Sequence, residues 1–243
     1  MMKLKVAIQY RIIYQLKSLG IFYLYFIGFA VVLPGLAMFF SNTSAKAESE
    51  LTLPSLIFAI ILSFIGIRSD FKFFIQNGMN RLHIFVSNLI SNFVIANIIV
   101  LTMACFRLIF KVFFSKHFDF QFMLLNFYQP KTLFSQYIFL FLIIFWGMAL
   151  GLVIGLFLDR FSFVTRLLIG GGVLLLPILF GTIFTTMTEA DKDGVVTNIA
   201  HALGITENGL KAGPLMLTLF IFICVNLVLA YLMNRRRELQ RIS

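Results

Sequence analysis

The chain has 243 residues, of which 60% are hydrophobic and only 12% charged, with a mean hydropathy of +0.97 and a formal net charge of +10. This excludes an ordinary soluble domain, where apolar residues make up roughly 45–50% and charged residues about 25%. The charges fall in clusters separated by long uncharged runs, the pattern that membrane spans require.

Leu4, Ile8, Ile12, Leu16 and Leu19 share one helical stripe, with Lys3, Tyr10, Arg11, Tyr14 and Lys17 mostly opposite. The spacing predicts an amphipathic interfacial helix over residues 1–19. The uncharged run that follows is too long for a cleavable signal, so the first helix is expected to stay in the product. Six runs then predict transmembrane helices at about 20–40, 51–67, 84–106, 133–158, 165–187 and 213–234. A helix rising about 1.5 Å per residue needs about 20 residues to cross roughly 30 Å of hydrocarbon, so 51–67 is the marginal span. None of the runs alternates as barrel strands do. The predicted class is therefore all-α: one polytopic transmembrane domain over 1–243, with six transmembrane helices and an N-terminal interfacial helix.

Lys and Arg in excess mark the cytoplasmic side. Of the 20 basic residues, 13 fall on the side of both termini and of the segments 68–83 and 159–166, against seven on the other side, which also holds seven of the ten acids. Both termini are expected to be cytoplasmic. The basic balance suits anionic headgroups, and with no soluble domain to present a patch, nucleic acid is not an expected partner.

Between spans two and three, Arg68-Ser-Asp-Phe-Lys-Phe-Phe-Ile-Gln-Asn-Gly-Met-Asn-Arg81 reads as a short helix, a stop and a restart. Ser69 is expected to cap the short helix with Asp70 in its first turn, Gly78 to end it, and Asn80 to cap span three. Phe71, Phe74 and Ile75 are expected to form a projecting apolar edge, as a docking surface would. Span three carries Ser87, Asn88, Ser91, Asn92 and Asn97, with Asn88 and Asn92 one turn apart. Amides in lipid need partners, so these residues read as interhelical hydrogen bonds or as the lining of a path.

The outer segment 107–131 is aromatic, from Phe110 to Tyr128, and is expected to rest on or dip into the outer leaflet. In span four Gly147, Gly151 and Gly155 recur every fourth residue, so another helix can approach closely, within or between subunits. Gly170, Gly171, Gly172 and Pro177 in span five permit a bend. The polar segment 189–211 reads as a loop with short helical pieces. Its acids Glu189, Asp191 and Asp193 lack the distal acid of a calcium loop. Cys105 and Cys224 read as small packing residues rather than as a disulfide or metal pair.

No Gly-x-x-x-x-Gly-Lys-Ser/Thr phosphate loop is present, and His83, His117 and His201 lie outside the spans without acids at ligand spacing. No catalytic, metal or cofactor-binding residue is expected. The order of elements, with Gln76-Asn77-Gly78-Met79-Asn80-Arg81 after span two, resembles permease subunits of ABC-2-type ATP-binding-cassette exporters, in particular the compact ones of Gram-positive bacteria. The resemblance covers the whole chain in layout. It implies that the segment from Asp70 to Arg81 is a coupling helix seated on a separate cassette ATPase, and that ATP and Mg are bound by that partner. It also implies two permease copies in a bacterial cell membrane. For cargo, the aromatic spans suit a hydrophobic or amphipathic substrate, and some similar exporters secrete membrane-active peptides such as phenol-soluble modulins. A secondary carrier or channel, which often shows internal repeats with broken helices, stays open as an alternative, as does an accessory or immunity protein.

Overall fold

The computed structural model describes residues 2–41, 47–114, 118–206 and 209–235. About 86% of it is helical, so two short strand pairs leave the all-α class unchanged. Among the described residues, six helical stretches are long and apolar enough to cross a membrane: Lys3–Phe40, Thr52–Gln76, Arg81–Phe113, Leu133–Arg160, Phe163–Thr186 and Ala212–Arg235.

The first helix, α1 (Met2–Ile27), runs without a break through the boundary expected near residue 19. One glycine, Gly20, costs a helix only about 1 kcal/mol relative to alanine, too little to end it. A π-helical turn, Gly28–Val32, joins α1 to α2 (Leu33–Ser41). Pro34 lacks an N–H, which frees the carbonyl of Ala30 four residues back. The Ser49 hydroxyl donates to that carbonyl at 3.4 Å.

Ser49 belongs to β1 (Ala47–Glu50), which pairs in parallel with β2 (Phe118–Gln121). The span expected over 51–67 is a 13-residue helix, α3 (Thr52–Phe64), followed after a turn at Gly66 by α4 (Ile67–Gln76). Thirteen residues rise about 20 Å, short of roughly 30 Å, so α3 alone is a partial span. Gly66 holds φ 83°, a left-handed conformation that a side chain would strain. The carboxylate of Glu50 accepts from the backbone N–H groups of Thr52 and Leu53 at the start of α3 (2.9 and 2.7 Å) and of Met123 (3.2 Å). One acid thus caps both α3 and α6 (Met123–Tyr128).

Helix α5 (Arg81–Phe113) continues well beyond the span expected over 84–106. Its last turns stack Phe106, Phe110 and Phe114 toward Phe120 of β2, with Phe110 and Phe120 centroids 4.6 Å apart. Phe120, Phe122 and Leu125 are buried. Part of the aromatic segment therefore packs as a cap on the end of the bundle, while Phe113, Phe114 and Phe127 stay exposed; Lys116 and His117 lie outside the described residues.

Helix α7 (Leu133–Arg160) is the centre of the bundle. Its glycines face α3 and the start of α4: a Cβ at Gly147 would collide with Leu56, at Gly151 with the main chain of Ile60, and at Gly155 with Ile67 of α4. The stripe expected to serve packing within or between subunits is thus spent inside one chain. Helix α8 (Phe163–Thr186) runs unbroken past Gly170, Gly171, Gly172 and Pro177, and none of its residues is buried. The segment after it is mostly α9 (Glu189–Ala202), more helical than expected, followed by the ribbon β3 (Ile205–Thr206) and β4 (Gly209–Leu210) and by α10 (Ala212–Arg235). Cys105 and Cys224 are free and exposed rather than packed inside.

Candidate functional site

At the end of the bundle opposite the aromatic cap, the starts of α1 and α5, the end of α10 and the whole of α4 meet. Helix α4 begins at Ile67, not at Ser69, whose hydroxyl instead donates to the Gly66 carbonyl at 3.1 Å. Its end matches expectation. Gly78, at φ 72°, donates to the Ile75 carbonyl (2.9 Å), and Met79 donates to the Phe74 carbonyl (3.0 Å), which together form a Schellman stop. Asn80 Oδ1 then accepts from the His83 N–H at 2.7 Å and caps α5.

The side chains point differently from expectation. Phe71 and Phe74 are each 3% exposed, packed with Ala7, Met79 and Ile84, and Ile75 is half-buried against them. They form the inner face of α4, not a projecting edge, because the unbroken α1 lies across it. The Tyr10 ring stacks on Phe73 (centroids 5.8 Å) and meets Phe74 edge-on (6.0 Å). Lys3 Nζ donates to the Asn77 carbonyl at 3.1 Å. What α4 leaves open is the opposite face: Lys72, Phe73 (51% exposed), Gln76, Asn77 and Gly78, with Asn80 and Arg81 beside it.

Along α1 the buried positions are Ala7, Arg11, Gln15, Leu19 and Tyr23, whereas Val6, Ile13 and Leu16 are exposed. Of the polar face only Arg11 is turned inward, with Gln15 beside it, while Lys3, Tyr10, Tyr14 and Lys17 stay exposed. Arg11 is 2% exposed, and its Nη1 donates to Asp70 Oδ2 at 2.5 Å. One turn on, Gln15 Nε2 donates to Asn92 Oδ1 (2.9 Å), and Asn92 Nδ2 donates to the Ser63 hydroxyl (2.6 Å). Burying such groups is tolerable only with partners, which Asp70, Asn92 and Ser63 supply.

Asn92 therefore ties α1, α3 and α5 together, and Asn88 is buried beside it on the same face. Arg11 Nε, Gln15 Oε1 and Asn88 Oδ1 have no hydrogen-bond partner among the described residues. Arg81 closes the ring: its Nη1 donates to the Arg235 carbonyl (3.1 Å), and Asn234 Nδ2 donates to the Arg81 carbonyl (2.8 Å).

The structure thus gathers the residues from Asp70 to Arg81 with Asn88 and Asn92 at one end. Gly155 packs where α4 begins, while Gly147 and Gly151 lie further along α7. Arg11, Gln15 and Ser63 escaped the sequence reading. A signal for Arg11 existed: Asp70 is the sole acid between Glu50 and Asp119 and needs a cation. Among the described residues, no group of three or more His, Cys, Asp and Glu is arranged to hold a metal. Compared with protein-family models, with curated proteins and with solved structures, the chain matches none.

Proposed function

We propose that this chain is the permease subunit of an ABC-2-type exporter, spanning a bacterial cell membrane six times with both termini in the cytoplasm and coupled to a separate cassette ATPase. The observation that carries the reading is α4. A short helix stopped sharply at both ends is clamped on its inner face by Arg11 and the Phe71–Phe74 pair, and turns Phe73, Gln76 and Asn77 outward. A helix fixed in this way passes a push from outside directly to α1 and, through Gln15 and Asn92, to α3 and α5. The spare donors and acceptors around Arg11, Gln15 and Asn88 put a second hydrogen-bonded arrangement within reach, as alternating access needs.

Two permease copies are part of the proposal. With the glycine stripe of α7 already used against α3, α8 is the helix available to a second copy. The chain itself binds no nucleotide; ATP and Mg belong to the ATPase. Cargo is hydrophobic or amphipathic, with membrane-active peptides as the leading class.

Two substitutions on one helix test the docking face. Phe73→Asp is expected to lower thermal stability by only about 0.5–1.5 kcal/mol, through loss of the stack on Tyr10, and to reduce co-elution of an ATP-hydrolysing subunit from native membranes by about tenfold, as loss of a half-exposed aromatic anchor does. Phe74→Asp is expected to destabilise the chain itself, because it buries a carboxylate among Ala7, Met79 and Ile84. The assay is vanadate-sensitive ATP hydrolysis in the affinity-purified, size-fractionated complex. ATPase retained by Phe73→Asp refutes the docking face, and no ATPase with the wild-type chain refutes the exporter reading.

A further inference from the structure

A cavity of about 880 Å³ opens between the α3–α4 turn and the end of α7, within the range of about 300–1,000 Å³ that small-molecule sites occupy. Its lining is divided. Phe64, Ile65, Ile67 and Leu158 form apolar walls, and Arg68, Ser69, Lys72 and Asp159 stand at one edge. Arg68 and Lys72 are one turn apart on α4, so their cationic ends share a face.

Asp159, 12% exposed, lies 3.4 Å from Arg68 Nε, but Arg68 is 69% exposed, and an ion pair of that kind is weak and screened. Among the described residues the edge holds two cations, Arg68 and Lys72, and one carboxylate, Asp159. Ser69 is already engaged with the Gly66 carbonyl. A guanidinium and an ammonium beside an apolar slot match a ligand with a phosphate at one end and hydrocarbon at the other.

We propose that this cleft binds an anionic phospholipid, with the phosphate held by Arg68 and Lys72 and an acyl chain lying along Phe64, Ile65 and Leu158. The inference rests on the reading of α4 as the cytoplasmic face of a membrane protein, since anionic lipid is met there. It does not depend on the ATPase. Lipid in this position braces α4 from the side opposite α1, so the composition of the inner leaflet sets how firmly the docking helix is held.

The test reconstitutes the full chain in vesicles of phosphatidylcholine with phosphatidylglycerol, extracts it in mild detergent and counts retained lipids by native mass spectrometry. The wild-type chain is expected to retain phosphatidylglycerol selectively. Arg68→Gln with Lys72→Gln is expected to lose it by more than tenfold, at about fivefold for each basic residue. Ile65→Trp keeps both cations but fills the slot, and is expected to lose the lipid as well. Lys111→Ala, at the far end of α5, is expected to behave as wild type.

Equal retention of the two lipids, retention by the double variant or by Ile65→Trp, or displacement by inorganic phosphate alone overturns the proposal. So does a double variant that keeps its lipid while losing self-association, which makes the cleft an interface between copies. Recovery of the chain outside the vesicles overturns the membrane reading as well; recovery inside them without selective lipid overturns only this inference.

Discussion

Gly151→Ala is expected to destabilise the chain by about 1–3 kcal/mol, although one methyl group is the smallest change a glycine can undergo. The added Cβ meets the carbonyl oxygen of Ile60, and main chain cannot rotate out of the way. α3 and α7 must therefore part along their whole contact, which begins near Leu56 and reaches Phe64. The same change at Gly147 meets the tip of the Leu56 side chain and is expected to cost less. Gly171→Ala is the control: nothing stands within 4 Å of its Cβ position, and helix propensity alone gives alanine an advantage of about 0.5–1 kcal/mol. Thermal unfolding followed by size-exclusion chromatography ranks the three. Equal behaviour of Gly151→Ala and Gly171→Ala contradicts the close approach of α3 to α7.

Arg11→Met is expected to cost about 3 kcal/mol or more, the usual penalty for breaking a buried ion pair from one side. Asp70, 14% exposed, then loses the guanidinium that stands 2.5 Å from its carboxylate. Much of the penalty is the cost of leaving a largely buried carboxylate without that guanidinium, rather than the net worth of the pair. The double variant Arg11→Met with Asp70→Asn is therefore expected to recover more than half of the loss, and Asp70→Asn alone to be destabilised because Arg11 is left buried. The double-mutant cycle, read from thermal unfolding, decides. Additive single effects would mean that the 2.5 Å contact does not couple α1 to α4.

Much of the architecture was legible because uncharged runs of span length between charge clusters admit few other readings. The stop at Gly78 and the cap at Asn80 were legible for a local reason: both depend on hydrogen bonds within three to five residues. What failed was the direction of faces. On α1 the spacing predicts an interfacial helix with Arg11 on its polar outer face; here Arg11 is buried with Ala7, Gln15 and Leu19. Partners decide where a buried polar group points, and the partners, Asp70 and Asn92, lie 59 and 77 positions away.

The same error put Phe71 and Phe74 on the outside of α4, since periodicity cannot tell lipid, solvent or another helix apart as the cover of an apolar face. The aromatic segment 107–131 was legible only in part, for a related reason. Its phenylalanines suit a headgroup boundary and a packed cap equally well, and pairing of β1 with β2 across some 70 positions has no local signature.

The clamp on α4 gives the exposed face its meaning. An amphipathic connector with both faces free would only mark a boundary, whereas under the proposed function one fixed by Arg11 and stopped at Gly66 and Gly78 would act as a lever. The most direct test places a photo-crosslinking amino acid at Gln76 and, in a separate sample, at Val196 on α9, and irradiates native membranes. The account predicts that Gln76 captures an ATP-binding subunit, more weakly in Phe73→Asp, and that Val196 does not. Capture at neither position, or equally at both, would contradict it.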